Sequence, residues 1–374
     1  MLFVITVLVV CFISNTSALK NCDDCIAINQ CRPALQRILV DKSPETERLV
    51  RNAYCGYDKL PKICCSEFEI TPSIFQRNNN YDLQRNNEYD DSDDIEDHPN
   101  VKLLSEDCGE IEGNRIVGGS TASMYEFPWI VLISYRYGRT LRFDCAGTLI
   151  NSKYVLTAAH CVKNKTIAGV RVGEYDISSP IDCTGEGETL VCENKLQDRR
   201  VAEIIYHNEY DVVPVAVNDI ALLRLSRPVV LTYKNSGAIC LPVMKSLREM
   251  NLDGETATVA GWGFTEKYQR SNVLLKVELP VYSSKTCKAY YKRSQRADSI
   301  DMLRHKLCAG EIGRDSCRGD SGGPLMLEGE YNGTDRYIQF GIVSYGPSQC
   351  GSNTPAVYTD VRKFMKWILD TIKP

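Results

Sequence analysis

Thirteen consecutive residues, Gly313 to Leu325 (GRDSCRGDSGGPL), gather four glycines, two aspartates, two serines and a cysteine. Such a stretch is too flexible for a helix and too glycine-rich for an ordinary strand. It suits a loop that holds backbone N–H groups around one side chain. The stretch alone leaves open which side chain that is and where its partners lie; a serine is one candidate. A serine hydroxyl is a weak nucleophile at neutral pH and needs an adjacent base. A histidine must therefore reach it from elsewhere, and the chain has four: His98, His160, His207 and His305. Cysteine is the other chemically informative residue type, with 17 among 374 residues.

The elements that would position these groups read as β-structure. From Ile116 onward, short apolar runs alternate with turn-rich segments. Trp129–Ser134, Tyr154–Thr157, Val201–Tyr206, Ile220–Leu225 and Thr256–Ala260 are such runs, and the pattern predicts an all-β sandwich or barrel. The end of the chain differs. Val361, Phe364, Met365, Ile368 and Ile372 recur at helical spacing, which predicts a core-facing terminal helix. An apolar content of 43% supports a sizeable core.

Upstream, the composition changes twice. Residues 22–65 hold six cysteines (Cys22, Cys25, Cys31, Cys55, Cys64 and Cys65) in a segment too short to bury enough apolar area unaided. Three cross-links are expected to hold it; zinc, or a redox pair at Cys22 and Cys25, is the competing reading and fits a reducing compartment better. Residues 66–107 read as a linker. Asn78 to His98 carries eight carboxylates and one arginine with few apolar residues, so it is expected to stay a mobile, solvated tether. Calcium binding there lacks the glycine-punctuated spacing of a dedicated loop.

Residues 1–18 open with an apolar run, Leu2 to Ile13, too short for the roughly 20 residues of a bilayer span, then small residues Thr16 and Ala18. A signal peptide ending at Ala18 is expected, without the usual positive start; a buried N-terminal strand is the alternative. Its removal takes Cys11 and leaves 16 of the 17 cysteines, an even number suited to disulfides in an oxidising compartment. No later run is long and apolar enough to span a membrane. A net charge of −4 argues neither for nor against nucleic acid. Neither a membrane nor a nucleic acid is expected as a partner.

Four motifs, in order Arg115-Ile-Val-Gly-Gly119, Leu156-Thr-Ala-Ala-His160-Cys161, Asn218-Asp219-Ile220-Ala-Leu-Leu and Gly319-Asp320-Ser321-Gly322-Gly323-Pro324, closely resemble the trypsin-like serine proteases of the chymotrypsin fold. The resemblance runs from about Ile116 to the C-terminus and implies a two-barrel protease domain over residues 116–374, ending in a helix. It implies Ser321 as nucleophile, His160 as general base and acid, and Asp219 as the group that orients the imidazole. The backbone N–H groups of Gly319 and Ser321 would form an oxyanion hole, each donor supplying on the order of 3 kcal/mol. Asp315 would sit at the base of the primary specificity pocket and pair with a substrate Arg or Lys, unless it is a surface ion-pair residue. Gly346 and Ala356 would be its walls. Trypsin itself usually has glycine where Ala356 stands, so the slot is expected to be narrower and to favour arginine over lysine.

The same resemblance implies a zymogen. A trypsin-like protease would cut after Arg115, within a linker and activation segment over residues 66–115. The new ammonium of Ile116 would pair with Asp320 and order the oxyanion hole. With the six-cysteine module, the chain is similar to the arthropod clip-domain serine proteases. That family implies bridges Cys22–Cys64, Cys25–Cys55 and Cys31–Cys65; from the residues alone the connectivity is open. In the protease domain it implies Cys145–Cys161, Cys287–Cys308, Cys317–Cys350 and Cys108–Cys240, leaving Cys183 and Cys192 to staple a surface loop. Glu174 and Asp176 lie where trypsin relatives bind calcium; a salt-bridged loop is the alternative, and no cofactor is required. Asn164 and Asn332 open N-x-Thr glycosylation triplets, which also arise by chance.

As partners, the resemblance implies a protein substrate (a downstream zymogen, a prophenoloxidase or a cytokine precursor), an upstream activator and serpin inhibitors. The setting would be a haemolymph cascade of melanisation or Toll-type immunity. A non-catalytic scaffold of the same cascade is the rival, and a clip module that binds microbial surfaces is a third reading. His207 and His305 lack motif context and His98 lies in the acidic stretch, so no role is assigned to them.

Overall fold

The computed structural model describes residues 22, 24–28, 31, 34, 48–50, 52–58, 60–68, 95–111, 120–185, 190–193, 195–211, 216–264, 269–293, 303–311, 319–347, 352 and 354–374. Residues 1–18, Arg115, Ile116, Asp315, Cys317 and Cys350 lie outside them. The chain divides into two compact units, Met1–Ser92 and Asp93–Pro374.

In the first unit, strand Leu60–Cys64 lies between Cys25–Ala27 and Tyr54–Asp58, antiparallel to both. Its core among the described residues is small: Ile28, Cys31, Ala34, Ala53 and Ile63. Three disulfides, Cys22–Cys64, Cys25–Cys55 and Cys31–Cys65, span this sheet. A core of five short side chains needs such covalent help.

The second unit contains two seven-stranded antiparallel sheets. The first uses Ile130–Tyr137, Thr140–Asn151, Tyr154–Thr157, Ile167–Val172, Gln197–Arg199, Val201–Tyr206 and Ala221–Leu225. The second uses Ser120–Thr121, Thr256–Gly261, Leu275–Tyr282, Lys306–Ala309, Pro324–Tyr331, Thr334–Tyr345 and Ala356–Asp360, and pairing of Thr256–Gly261 with Leu275–Tyr282 closes it into a barrel. Each apolar run singled out in the sequence falls on a strand, with differences only at the ends. A 3-10 turn, Val361–Phe364, leads into helix Met365–Thr371. Val361, Phe364, Met365, Ile368 and Ile372 are all buried, against the core of the first sheet. No helix among the described residues is long and apolar enough to cross a membrane.

Part of the stretch expected to be a solvated tether is structured: the described residues from Ile95 onward form turns and pack. Ile95–Asp97 and Val101–Leu103 form 3-10 turns in the second unit, and Ile95 is 6% exposed. Asn100 Nδ2 donates to Leu369 O and Ile372 O at 2.9 and 3.1 Å, capping the terminal helix; Asn151 Nδ2 donates to Leu103 O at 2.8 Å. His98 Nε2 lies 3.1 Å from Asp370 Oδ1. The carboxylate count through His98 averaged over a boundary. Ile95, Val101, Leu103, Leu104 and Ile111 supply apolar area that packs on the barrel, and that burial offsets the ordering entropy.

Candidate active site

The strand Tyr154–Thr157 is wholly buried and runs into a one-turn helix, Ala159–Val162. The disulfide Cys145–Cys161 ties that turn to the neighbouring strand. His160 therefore leaves a rigid corner with its side chain 29% exposed. Asp219 precedes the strand Ala221–Leu225, which pairs with Tyr154–Thr157, and follows Asn218 at φ 46°. The left-handed residue turns the chain so that the carboxylate points inward.

That carboxylate is fully buried and saturated with donors. His160 Nδ1 lies 2.8 Å from Asp219 Oδ2, and His160 N donates to Oδ1 at 2.9 Å. Ser344 Oγ donates to Oδ2 at 2.5 Å, and Thr359 Oγ1 donates to the Asp219 carbonyl at 2.9 Å. Burial pushes the carboxyl up, but the charge and hydrogen bond of His160, with Lys306 and Ser344, outweigh it and hold it below the ordinary range. With Asp219 on Nδ1, the second imidazole nitrogen, Nε2, is the one that can take a proton. It lies 3.6 Å from Cys161 Sγ. That sulfur and its Cys145 partner are disulfide-bonded, so this cluster does not fit a metal.

The Ser321 loop is seated against the same corner. Ala146 N donates to Ser321 O at 2.8 Å, and Gly322 N donates to Val343 O at 2.9 Å. A Cβ on Gly322 would fall 2.2 Å from Thr157 Oγ1 and 2.5 Å from Ala146 O. Only glycine allows this approach, which brings the second barrel's loop against Thr157 and Ala158, just ahead of His160. Gly319 has φ 104°, and a Cβ there would meet Gly263 Cα at 3.0 Å. Asp320 is buried, and its Oδ1 accepts from Gly263 N at 2.8 Å. A Cβ on Gly261 or Gly263 would clash with that carboxylate at 2.2–2.3 Å.

Gly346 and Ala356 face each other; a Cβ on Gly346 would lie 3.5 Å from the Ala356 methyl. Among the described residues of the second unit, the bonded cysteines are Cys108–Cys240, Cys145–Cys161, Cys183–Cys192 and Cys287–Cys308. Asn164 (φ 60°) and Asn332 (φ 52°) are exposed turn residues. His207 packs its ring against Phe364 and Trp367, and His305 packs against Phe364.

The Glu174 loop is internally satisfied. Glu174 Oε2 meets Arg171 Nη1 at 3.4 Å, and its Oε1 accepts from Tyr175 N at 3.1 Å. Burial, with Asp182 nearby, pushes the Glu174 carboxyl up. Asp176 Oδ1 accepts from Ser178 N and Oγ at 2.9 and 2.6 Å, and Asp182 accepts from Tyr175 N and Asp176 N at 3.1 and 3.2 Å. Among the described residues, no three carboxylates bring oxygens within 4.8 Å of one another. The carboxylates of Glu174, Asp176 and Asp182 are thus engaged with protein donors.

Three groups around Asp219 escaped the sequence reading: Ser344, Thr359 and Lys306. Ser344 lies two residues before Gly346, which alone was singled out there. Lys306 opens a wholly buried strand, Lys306–Ala309; in the sequence it follows Arg304 and His305 and reads as the polar flank of an apolar run.

Comparison with known proteins agrees with this geometry. The trypsin family matches residues 116–368, and the regulatory CLIP domain of proteinases matches residues 24–65. CLIP domain-containing serine protease HP8 of Bombyx mori is 38% identical over 94% of this chain and 91% of its own length. Melanization protease 1 of Drosophila melanogaster is 35% identical over 95% and 92%. The crystal structure of the Drosophila Grass clip serine protease of the Toll pathway superposes with a TM-score of 0.64 at 28% identity, covering 95% of this chain and 98% of that one. The two barrels, the disulfide-rich N-terminal module and these matches together make the chain a CLIP-domain serine protease, a serine endopeptidase of the trypsin family.

Proposed function

We propose that this chain is the zymogen of a secreted endopeptidase that is cut after Arg115 and then cleaves a protein substrate after arginine, with lysine less favoured. The observation that carries the reading is the buried Asp219 carboxylate on His160 Nδ1, with the Ser321 loop packed against the same corner. Ser321 Oγ attacks the scissile carbonyl carbon as His160 Nε2 takes its proton. The C–N bond breaks, and the amine leaves with that proton. Water, deprotonated by His160, then hydrolyses the acyl-serine. The N–H groups of Gly319 and Ser321 hold the oxyanion.

Activation follows from connectivity. Ser120 pairs with Lys276, Leu275 pairs with Gly261, and Gly261 abuts the Asp320 carboxylate. Ile116 is four residues before Ser120, a reach of roughly 13 Å, which supports pairing of its new ammonium with Asp320. A new ammonium beside this buried carboxylate, which already accepts from Gly263 N, would add a fixed contact next to Gly319 and Ser321 and order the oxyanion loop. Pairing raises the ammonium pKa above its free value of about 7.7–8.0. The active form is then fully favoured below the free value and is lost as pH climbs through the raised one. Activity of the cleaved enzyme is expected to fall at alkaline pH; a flat profile well beyond pH 8 would contradict the pairing.

Asp315 supplies the counter-charge for a basic side chain, and the Ala356 methyl against Gly346 narrows the slot toward the planar guanidinium. By the names of its relatives, the setting is a melanisation or Toll-type cascade, in which an upstream trypsin-like protease activates the chain and serpins stop it. Prophenoloxidase, a downstream zymogen or a cytokine precursor is the substrate. Asn164 and Asn332 are positioned to carry glycans. A scaffold without catalysis would not need the Asp219 network. The test is cleavage after Arg115 followed by a serine-directed phosphonate and paired arginyl and lysyl peptide substrates. Labelling at Ser321 and faster arginyl turnover are expected. An unlabelled, folded protein supports the scaffold, and a lysine preference overturns the pocket argument alone.

A further inference from the structure

Lys306 is 7% exposed, yet it carries an ammonium into the interior of the second barrel. Its strand pairs with Ala356–Asp360, placing Lys306 opposite Thr359. The Nζ reaches Thr359 Oγ1 at 3.0 Å and Ser344 Oγ at 3.3 Å. Those are the two hydroxyls that touch Asp219, one at Oδ2 and one at the backbone carbonyl. An ammonium only donates, and a carboxylate or carbonyl only accepts. Each hydroxyl therefore accepts a hydrogen bond from the lysine ammonium and donates one to Asp219. All four hydrogen bonds run in one direction, from Lys306 through Ser344 and Thr359 to Asp219, and His160 lies beyond it.

We propose that Lys306 is a positioning residue of this site: it turns the Ser344 and Thr359 hydroxyls onto Asp219 and sets a buried positive charge behind the carboxylate that orients His160. The proposal rests on the reading of His160 as the base. The carboxylate is thus fixed by an interior cation on one side and the imidazole on the other. Other titratable groups around Lys306 are the Tyr345 ring, whose centroid is 5.8 Å from Nζ, His305 beside it in the chain, and Asp360 with Arg362, which are paired to each other at 2.8 Å. Burial pushes the Lys306 ammonium down to about 8, with Asp219 opposing the shift. Lysine neutralisation and loss of the Ile116 ion pair would therefore overlap on the alkaline side. The acid limb of activity is the clean readout.

The experiment compares wild type, Lys306→Met and Lys306→Gln, each cleaved after Arg115 and each counted by active-site titration, so that misfolded molecules drop out. The readout is kcat/KM against pH with an arginyl amide. Removing one positive charge near the site makes protonating it easier, so the acid limb of both variants is expected to move up by about half to one pH unit. Lys306→Gln keeps one donor for the hydroxyls, and Lys306→Met keeps none. Met is therefore expected to lose more kcat than Gln at the pH plateau, by about tenfold. An acid limb that stays in place in both titratable variants overturns the proposal. Should Lys306→Met yield no titratable enzyme, the Gln limb decides. A wild type with no acid limb at all sinks the His160 reading itself, a result distinct from failure of the lysine.

Discussion

Replacing Ser321 with alanine is expected to lower kcat of the cleaved enzyme by about a millionfold. Removing the nucleophile of such a unit costs nearly as much as removing the whole unit, because base and orienting carboxylate then have no hydroxyl to activate. The variant should fold. The loop is seated through the Ser321 carbonyl on Ala146 N and the close approach of Gly322 to Thr157, neither of which involves the hydroxyl. Some thousandfold rate above water is expected to persist from the oxyanion donors. Single-turnover kinetics on an arginyl ester measures this. A loss smaller than about a hundredfold would show that another residue forms the bond. Unchanged affinity for a reversible arginine-mimetic inhibitor would separate lost chemistry from a damaged pocket.

The residues to which we assign the chemistry were legible because each sits in a short peptide whose own composition marks it. His160 follows a buried strand and precedes a cysteine; Ser321 lies among glycines whose spacing makes sense once Gly319 is seen at φ 104° and Gly322 against Thr157. The barrel strands were legible for a similar reason: their apolar runs are local and bounded by turns. What could not be read locally was anything set by a long-range pairing. Lys306 acquires its meaning from registry with Thr359 and from the crossing of Ser344, and in the sequence it is a lysine like others. The docking of Ile95–Ile111 escaped for the opposite reason. Eight carboxylates over Asn78–His98 outvoted a few apolar residues whose partners, the terminal helix and Asn151, are far away in sequence. The small residues at Gly346 and Ala356 were visible as types, but their facing contact depends on the pairing of Thr334–Tyr345, just before Gly346, with Ala356–Asp360.

Changing Asp219 to asparagine is expected to lower kcat near neutral pH by about 10⁴-fold, the size of the tautomer inversion in the family's type enzyme. The geometry supplies the reason. Asp219 accepts on both oxygens: Oδ1 from His160 N, and Oδ2 from His160 Nδ1 and the Ser344 hydroxyl. Asparagine has one oxygen and one NH₂. The backbone N–H of His160 cannot change its role, so the amide oxygen stays on that side. The NH₂ then faces Nδ1 and donates to it. The ring proton is forced onto Nε2, which can no longer take the Ser321 proton. The Ser344 hydroxyl must also turn away, since it now meets a donor, and Lys306 is left behind a neutral group. The fold should persist, because the exchange is isosteric and the strand Ala221–Leu225 is unaltered. Kinetics across pH is the measurement, with imidazole nitrogen NMR of His160 to identify the protonated nitrogen. Loss of activity with the proton still on Nδ1 would contradict this account, because the carboxylate would then act chiefly by its charge. Proton on Nε2 with activity retained would mean that His160 is not the base.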